Sequence, residues 1–209
     1  MLKLLQNIYG GKNSGRIWNE YLVQGLINIG FKQSKIDECV FFRGNVVFLC
    51  CLDDGIFAGP GLKEINEAVK DLGDSRKARN RYVLEDQGDI KDYLGINFEY
   101  LADDKIKLSQ PHLIAQIVKE VGLKRGETRS LPALSSKLPN RDENGPPYKC
   151  PFNYRKVIGK LNFLEKSSRP DIAYTSHQCA RFCVDPKESH VKAVIHLAKY
   201  IFREQQTKG

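Results

Sequence analysis

The chain predicts an α+β fold, an antiparallel sheet packed with helices, and three observations predict it. Val46–Leu52 is an apolar run that ends in Asp53-Asp54, and a second apolar run, Ile56–Ala58, follows Gly55; this is the pattern of strand, tight turn and strand. Apolar residues recur at helical spacing on both sides of that hairpin. Residues 150–209 read as helices in succession.

Taken in order, Ile17, Trp18, Tyr21, Leu22, Leu26 and Ile29 form one helical stripe, which Gly30 stops as a C′ residue. Phe31–Asp37 connects to a short strand near Cys39–Phe42, and Gly44-Asn45 turns the chain into Val46–Leu52. In that strand Val46, Phe48, Cys50 and Leu52 share one face, and Val47, Leu49 and Cys51 share the other with Asp53. Both faces are apolar, so the strand is expected to be central and buried. Gly59-Pro60-Gly61 breaks the chain, and Leu62, Ile65, Val69 and Leu72 mark a helix returning over the sheet.

Ser75–Arg81 has four basic residues and only Ala78 as an apolar anchor, and is expected to be an exposed loop. Asp92–Leu101 and Lys105–Leu108 predict a hairpin around Ala102–Asp104. Ser109-Gln110-Pro111 opens a helix that ends at Val121-Gly122, with Leu113, Ile114, Ile117 and Val118 facing inward. Lys124–Lys149 carries Pro132, Pro139, Pro146 and Pro147 and reads as an extended, partly mobile connector. Three helices are expected near Phe152–Lys166, Pro170–Cys183 and Pro186–Arg203. In the third, Asp185 caps, Pro186 takes the first position and Glu188 completes a capping box.

Composition bounds the function. A chain of 209 residues with 41% hydrophobic and 28% charged residues is ordinary for a soluble globular protein of one large or two small domains. No apolar stretch reaches the ~20 residues that cross a bilayer, and Met1–Leu5 lacks a signal-peptide core. Six cysteines without framework spacing fit a reducing, intracellular setting. The net charge of +8 is unevenly placed: residues 1–123 hold 16 Lys/Arg and 17 Asp/Glu, whereas residues 124–209 hold 17 Lys/Arg and 8 Asp/Glu. A basic C-terminal part suits a polyanion partner, although a solvated surface explains it equally.

Carboxylates at the tip of a rigid hairpin present hard oxygen ligands of the kind Mg²⁺ takes, and Mg²⁺ beside nucleotide phosphates supports phosphodiester chemistry. The plainer reading is that Asp54-Gly55 is simply a favoured turn dipeptide. Asp103-Asp104 is a second Asp pair between apolar stretches, with nothing to mark it as catalytic. Elsewhere, His177, Cys179 and Cys183 share one predicted helix, but His177 lies about 200° from Cys179 on the helical wheel, a poor arrangement for one zinc. His190 and His196 read as surface or packing residues, with a phosphate contact open to His190, and Trp18 reads as core. The chain has no phosphate-binding Gly-x-x-x-x-Gly-Lys loop and no nucleophile–base pair for acyl transfer.

Five segments carry a resemblance. Ile8-Tyr9-Gly10-Gly11-Lys12-Asn13-Ser14-Gly15-Arg16-Ile17-Trp18 is similar to the Leu-Tyr-Gly-Leu-Lys-Gln-Ala-Pro-Arg-x-Trp segment of Ty1/copia-type retrotransposon reverse transcriptases. Cys51-Leu52-Asp53-Asp54 resembles that family's Tyr-Val-Asp-Asp, and Gln87–Ile96 resembles its Leu-Gly-Glu-Leu-x-x-Phe-Leu-Gly-Ile. Ser168–Tyr174 and Pro186–His190 resemble two further blocks that precede its ribonuclease H domain. The five stand in the family's order and span nearly the whole chain.

The resemblance implies a partial polymerase palm in residues 1–101, a thumb and connector in 102–149, and a helical connection segment toward ribonuclease H in 150–209. It implies RNA-directed DNA synthesis on a template–primer duplex from deoxynucleotides, with Mg²⁺, or Mn²⁺ in its place. In this chain Asp53 would be a principal metal ligand and Asp54 the accessory carboxylate. Tyr9, Gly10, Lys12 and Asn13 would lie beside nucleotide and template, and Cys51, Leu52, Leu94 and Gly95 beside the primer. Asn13 stands for Gln, Gly15 for Pro and Cys51 for Tyr. The resemblance also implies a retroelement particle in the cytoplasm, or the nucleus, as the setting.

The family's other catalytic Asp lies on a strand before the Tyr-Gly-x-Lys segment, and Met1 stands only eight residues before Tyr9. The expectation is therefore a polymerase fragment, inactive in isolation and completed by the upstream polymerase segment. Two other readings stay open: a non-catalytic nucleic-acid-binding remnant, and an assembly piece that needs another chain.

Overall fold

Strands β1 (Lys32–Gln33), β2 (Val40–Arg43), β3 (Val46–Cys51) and β4 (Asp54–Ala58) form one antiparallel sheet in the order β1-β2-β3-β4. The computed structural model describes residues 10–52, 54–103, 105–133, 142, 145 and 150–206, excluding the side chains of 204–206. A division between Gln87 and Gly88 separates two units; the resemblance placed its first boundary after residue 101. The mixture of helices and antiparallel sheet is the α+β class expected from the sequence.

In the first unit, α1 (Ser14–Asn28), α2 (Leu62–Gly73) and α3 (Ser75–Ala78) pack with the sheet. Leu22 and Leu26 of α1, Ala68 and Leu72 of α2, and Ala78 of α3 share a core with Phe41, Val46, Phe48 and Cys50. Phe31, Phe41, Phe48 and Phe57 form its aromatic centre, with Phe48 and Phe57 only 4.5 Å apart between centroids. Helix α1 ends as its sequence predicts. Gly30 takes φ +93°, its N–H reaches Ile27 O, and Phe31 N–H reaches Leu26 O, the paired bonds of a Schellman cap.

Two expectations for this unit are corrected. Strand β3 is central but not buried on both faces: Val46, Phe48 and Cys50 are buried, while Leu49 on the opposite face is 37% exposed. The helices of the unit contribute to the Phe48 side, which leaves the Leu49 side open. Ser75–Arg81 is not a plain exposed loop, because Asp74 caps α3 through Arg76 N–H and Ala78 is fully buried. The lone apolar residue of that basic stretch is its anchor. Next to it Asn28 Nδ2 donates to Ala78 O at 2.7 Å, and the Tyr82 hydroxyl donates to Tyr21 O at 2.6 Å.

The second unit holds a small sheet of β5 (Asp92–Tyr93), β6 (Ile96–Tyr100) and β7 (Ile106–Ser109), with the expected hairpin between β6 and β7. Its helices are α4 (Pro111–Val121), α5 (Tyr154–Ser167), α6 (Ala173–Ala180) and α7 (Glu188–Gln206), and a 3₁₀ turn at Pro170–Ile172 precedes α6. The core joins Ile114, Ile117 and Val118 of α4 to Val157, Ile158, Leu161 and Leu164 of α5 and to Val194, Leu197 and Ile201 of α7. These are the inward positions the helical spacing marks.

The start of α7 differs from expectation. The helix begins at Glu188, and Asp185 pairs with Lys187 at 3.0 Å instead of capping. Buried His190 stacks on Phe182 at 3.9 Å and accepts a bond from Lys187 N–H through Nδ1, so an imidazole replaces the expected Glu188 in the capping role. The described start of the proline-rich connector is also tied down. Lys199 pairs with Glu127 at 2.9 Å, Arg129 N–H reaches Lys199 O, and His196 Nε2 lies 3.0 Å from Leu131 O. Most of the remaining connector lies outside the described residues.

Two measurements check this packing. A Cβ on Gly25 would stand 2.1 Å from the Tyr82 hydroxyl oxygen, so Gly25→Ala should lower unfolding stability by about 1–3 kcal/mol in a denaturant titration. Asp71 accepts from Lys77 and from Arg43, which together hold its carboxyl below the ordinary Asp value. Its contribution is therefore full above the unfolded Asp range near ~3.9 and is lost as pH falls through the lowered value. Asp71→Asn should be less stable than the parent at neutral pH, and the difference should shrink on acidification below about pH 4.

Candidate functional site

The hairpin of β3 and β4 is the tightest available. Cys51 pairs with Asp54 and Cys50 with Gly55, so two residues, Leu52 and Asp53, join the strands. Leu52 adopts φ +54°, the left-handed conformation that two-residue hairpins require. In an L-residue with a bulky side chain that conformation costs ~1–2 kcal/mol. This register overturns the plain turn-dipeptide reading: Asp54 and Gly55 are strand residues of β4 and make no turn. Asp53 itself lies outside the described residues.

Gly55 has a different duty. A Cβ there would lie 2.6 Å from the Phe48 ring, so glycine allows the aromatic centre to close directly beneath the turn. Asp54 is the partner of Cys51 and therefore shares its face with Cys51, Leu49 and Ile56, the open side of the sheet. It is exposed, and β4 is an outer strand of the sheet among the described residues. The comparison pair Asp103-Asp104 sits otherwise. Tyr100 pairs with Ile106, so Asp103 belongs to a wider loop, and Lys105 Nζ is 3.5 Å from it.

Helix α1 reaches the same hairpin. Trp18 Nε1 donates to Leu52 O at 3.0 Å. Trp18 is 37% exposed, stacks on Tyr21 at 6.0 Å and meets Tyr82 edge-on at 6.3 Å. The expectation that it is a core residue is thus corrected: it stands where the buried stripe of α1 emerges at the hairpin. Behind it, Tyr21 and Arg81 exchange bonds through the Tyr21 hydroxyl, and Asn80 Nδ2 donates to Tyr21 O and to the Tyr82 hydroxyl. Burial raises the Tyr82 phenol above its ordinary value. Sequence reasoning missed this cluster; the signal was an indole N–H on the helix that follows the Tyr-Gly-x-Lys segment.

The other expected nucleotide-side residues lie at the start of α1. Gly10 takes φ +84°, Lys12 is exposed, and Asn13 occupies the N-cap position without a side-chain capping bond. Asn13 precedes Trp18 by five residues, ~7.5 Å along the axis at 1.5 Å per residue. Tyr9 lies outside the described residues. Among the expected primer-side residues, Cys51 is half-buried and Leu52 is 74% exposed. Leu94 (φ +50°) and Gly95 (φ +77°) form the two-residue turn between β5 and β6 in the second unit.

The remaining candidates are structural. His177 pairs with buried Glu165 at 2.9 Å, Cys179 is fully buried with its thiol pushed up to about 12 by desolvation, and His190 is the capping imidazole described above. Arg169, Asp171 and Tyr200 form a bonded set: Asp171 accepts from Arg169 at 2.7 Å and from Tyr200 at 2.8 Å, which lowers its carboxyl. Much of the C-terminal positive charge is used in this way, since Lys156 and Lys160 both pair with Glu120. Among the described residues Lys124, Arg125, Arg155 and Lys166 stay exposed outside such pairs. No described helix is long and apolar enough to cross a membrane, and no three described His, Cys, Asp or Glu residues converge as a metal site.

Of the expected carboxylate pair only Asp54 is described, exposed on the open face of the sheet. Mg²⁺ is commonly held by one or two carboxylates, with waters and substrate phosphates completing its shell, and an exposed carboxylate on an open sheet face leaves room for both.

Comparison with known proteins identifies the family of the chain. The model of the reverse transcriptase (RNA-dependent DNA polymerase) family matches residues 1–135. A Ty5-1 transposon protein of Saccharomyces cerevisiae is 26% identical over 204 residues, covering 96% of this chain and 64% of the relative. The retrovirus-related Pol polyprotein from transposon RE1 of Arabidopsis thaliana is 27% identical over 204 residues, 95% of this chain and 13% of the polyprotein. A Ty1 Gag-Pol polyprotein of Saccharomyces cerevisiae is 22% identical over 214 residues, 97% of this chain and 12% of its own length. The chain thus spans less than two thirds of each of these relatives. No solved structure matches it.

The geometry of the turn predicts two mutational outcomes. Leu52→Val should destabilise the chain by about 1 kcal/mol, because a β-branched residue tolerates positive φ less well. Gly55→Ala should cost about 1–3 kcal/mol through the Phe48 ring. Thermal melts of both variants check the register.

Proposed function

The chain belongs to the reverse transcriptase (RNA-dependent DNA polymerase) family of Ty1/copia-type retrotransposons, and on that footing we propose that it is the part of an RNA-directed DNA polymerase that carries the metal-binding hairpin. The observation that supports this most is the two-residue turn between Cys51 and Asp54, with Leu52 left-handed and Asp54 on the open sheet face. A turn made only to reverse the chain would favour Asn-Gly or Asp-Gly at its centre. Leu-Asp there is a local cost, of the sort that persists where function maintains it.

In this reading Asp53 and Asp54 hold Mg²⁺, with Mn²⁺ as its substitute. Bound there, the metal would supply charge neutralisation at the transferring phosphate and activation of the primer 3′ hydroxyl. The chain's own residues do the positioning. Lys12 offers a point charge to a phosphate, and Asn13 offers an amide to a base or sugar edge. Cys51 and Leu52, with Leu94-Gly95, lie along the primer. Tyr9 and Gly10 complete the nucleotide side. Residues after 124 grip the duplex through its phosphates, with Lys124, Arg125, Arg155 and Lys166 as available charges.

Residues 1–101 are accordingly read as palm, 102–149 as thumb and connector, and 150–209 as the connection toward ribonuclease H. The outer position of β4 supports one further element of the proposal. A two-metal centre needs carboxylates from more than one element, and among the described residues β4 has an edge at which such a strand could pair. We therefore read the 209-residue chain as inactive alone and completed by an upstream polymerase segment.

The test is primer extension on an RNA template by the purified 209-residue chain with Mg²⁺. The expected result is no extension, together with salt-sensitive binding of an RNA/DNA duplex that weakens in Lys166→Ala and Arg155→Ala. Extension that is lost in Asp53→Asn would support the metal assignment and contradict inactivity in isolation. Duplex binding indifferent to salt would contradict the phosphate grip.

A further inference from the structure

The carboxylate turn is held from outside the sheet. Its only described side-chain bond from another element is that of Trp18, whose indole Nε1–H donates to Leu52 O at 3.0 Å. Leu52 is the residue in the left-handed conformation, and its side chain is 74% exposed, so packing of that side chain cannot stabilise the turn. The cost of the conformation is of the same order as one net hydrogen bond. A peptide group is planar, so a donor that holds the Leu52 carbonyl also sets the plane in which the chain leaves Leu52.

Trp18 is itself firmly placed. It continues the stripe of Leu22, Gly25 and Leu26 by one helical turn, and it stacks on Tyr21 and abuts Tyr82. Tyr21 and Tyr82 are locked to one another and to Asn80 and Arg81. The donor is therefore presented from a rigid base. Phenylalanine would retain most of the packing, but of the aromatic side chains without a phenolic or imidazole group only tryptophan carries an N–H.

We propose that Trp18 is a positioning residue of the carboxylate hairpin, whose indole N–H holds the Leu52 carbonyl and thereby keeps the turn between Cys51 and Asp54 in its left-handed form. The inference rests on the reading of that hairpin as the metal-binding element. Helix α1, which Asn13 precedes as its N-cap residue, is thus coupled to the turn through Trp18, so the expected nucleotide-side segment and the metal-side turn are kept in mutual register.

Trp18 is the chain's only tryptophan, so one position can be altered chemically. Replacing it by β-(3-benzothienyl)alanine puts sulfur in place of the N–H and preserves the ring; 7-azatryptophan keeps the N–H. Amide hydrogen exchange is measured at Cys51, Leu52, Asp54 and Gly55, and at Leu22–Leu26 within α1. Mn²⁺-induced line broadening at the same turn is recorded in parallel.

The sulfur analogue should exchange about five- to tenfold faster at the turn, as loss of one net hydrogen bond gives, with α1 unchanged. Its Mn²⁺ affinity should fall several-fold, while the azatryptophan chain should match the parent. Turn exchange unchanged in the sulfur analogue would overturn the inference and leave Trp18 a packing residue. Asp53→Asn with Trp18 intact separates the two levels. It should keep the protected turn and lose Mn²⁺ broadening, and retained broadening would count against the metal reading alone.

Discussion

The pairing of Cys51 with Asp54 is the constraint from which the rest of the site follows. Antiparallel pairing at those positions leaves two residues for the turn, and two residues can reverse a right-twisted hairpin only at positive φ. That demand falls on Leu52. The same register puts Asp54 on the open face, turns Gly55 toward Phe48 and fixes Phe57 against Phe48 in the aromatic centre. Helix α1 supplies the restraint from the other side, through Trp18. A slip of one residue would exchange the two faces and bury Asp54 against phenylalanines.

Packing and site are therefore parts of one arrangement. The core under the hairpin is aromatic and leaves no space for even a methyl group at Gly55, so the turn rests on a rigid base. Segment 78–82 contributes by locking Tyr21 and Tyr82, which in turn orient Trp18. In the second unit, by contrast, several of the charges that first suggested a polyanion partner are paired. Glu120 takes two lysines and Glu127 another, which narrows the candidate phosphate contacts to the exposed residues that remain.

Strong local signals made much of this readable from the residues alone. The stripe of α1 and its glycine stop, the Gly44-Asn45 turn, the hairpin of β6 and β7 and the inward face of α4 all appear where spacing and turn chemistry put them. What escaped depended on contacts distant in sequence. Ser75–Arg81 looked like an exposed loop because Ala78 is its lone apolar residue, yet Ala78 is buried and meets α1 through Asn28. Trp18 looked like core because helical spacing reports a face and not where that face ends. Asp54-Gly55 looked like a turn because the dipeptide favours one, and cross-strand register overrode that preference. His190 could not be read as a cap, since imidazole is uncommon in that role.

On the proposed function, the Cys51–Asp54 hairpin would hold a divalent cation through Asp53 and Asp54. Mn²⁺ titration of the ¹⁵N-labelled chain, followed by paramagnetic broadening, tests it most directly. The account predicts broadening centred on Leu52, Asp54 and Gly55, displaced by Mg²⁺ and abolished in Asp53→Asn. Broadening spread over unrelated surface carboxylates, or retained in Asp53→Asn, would contradict it.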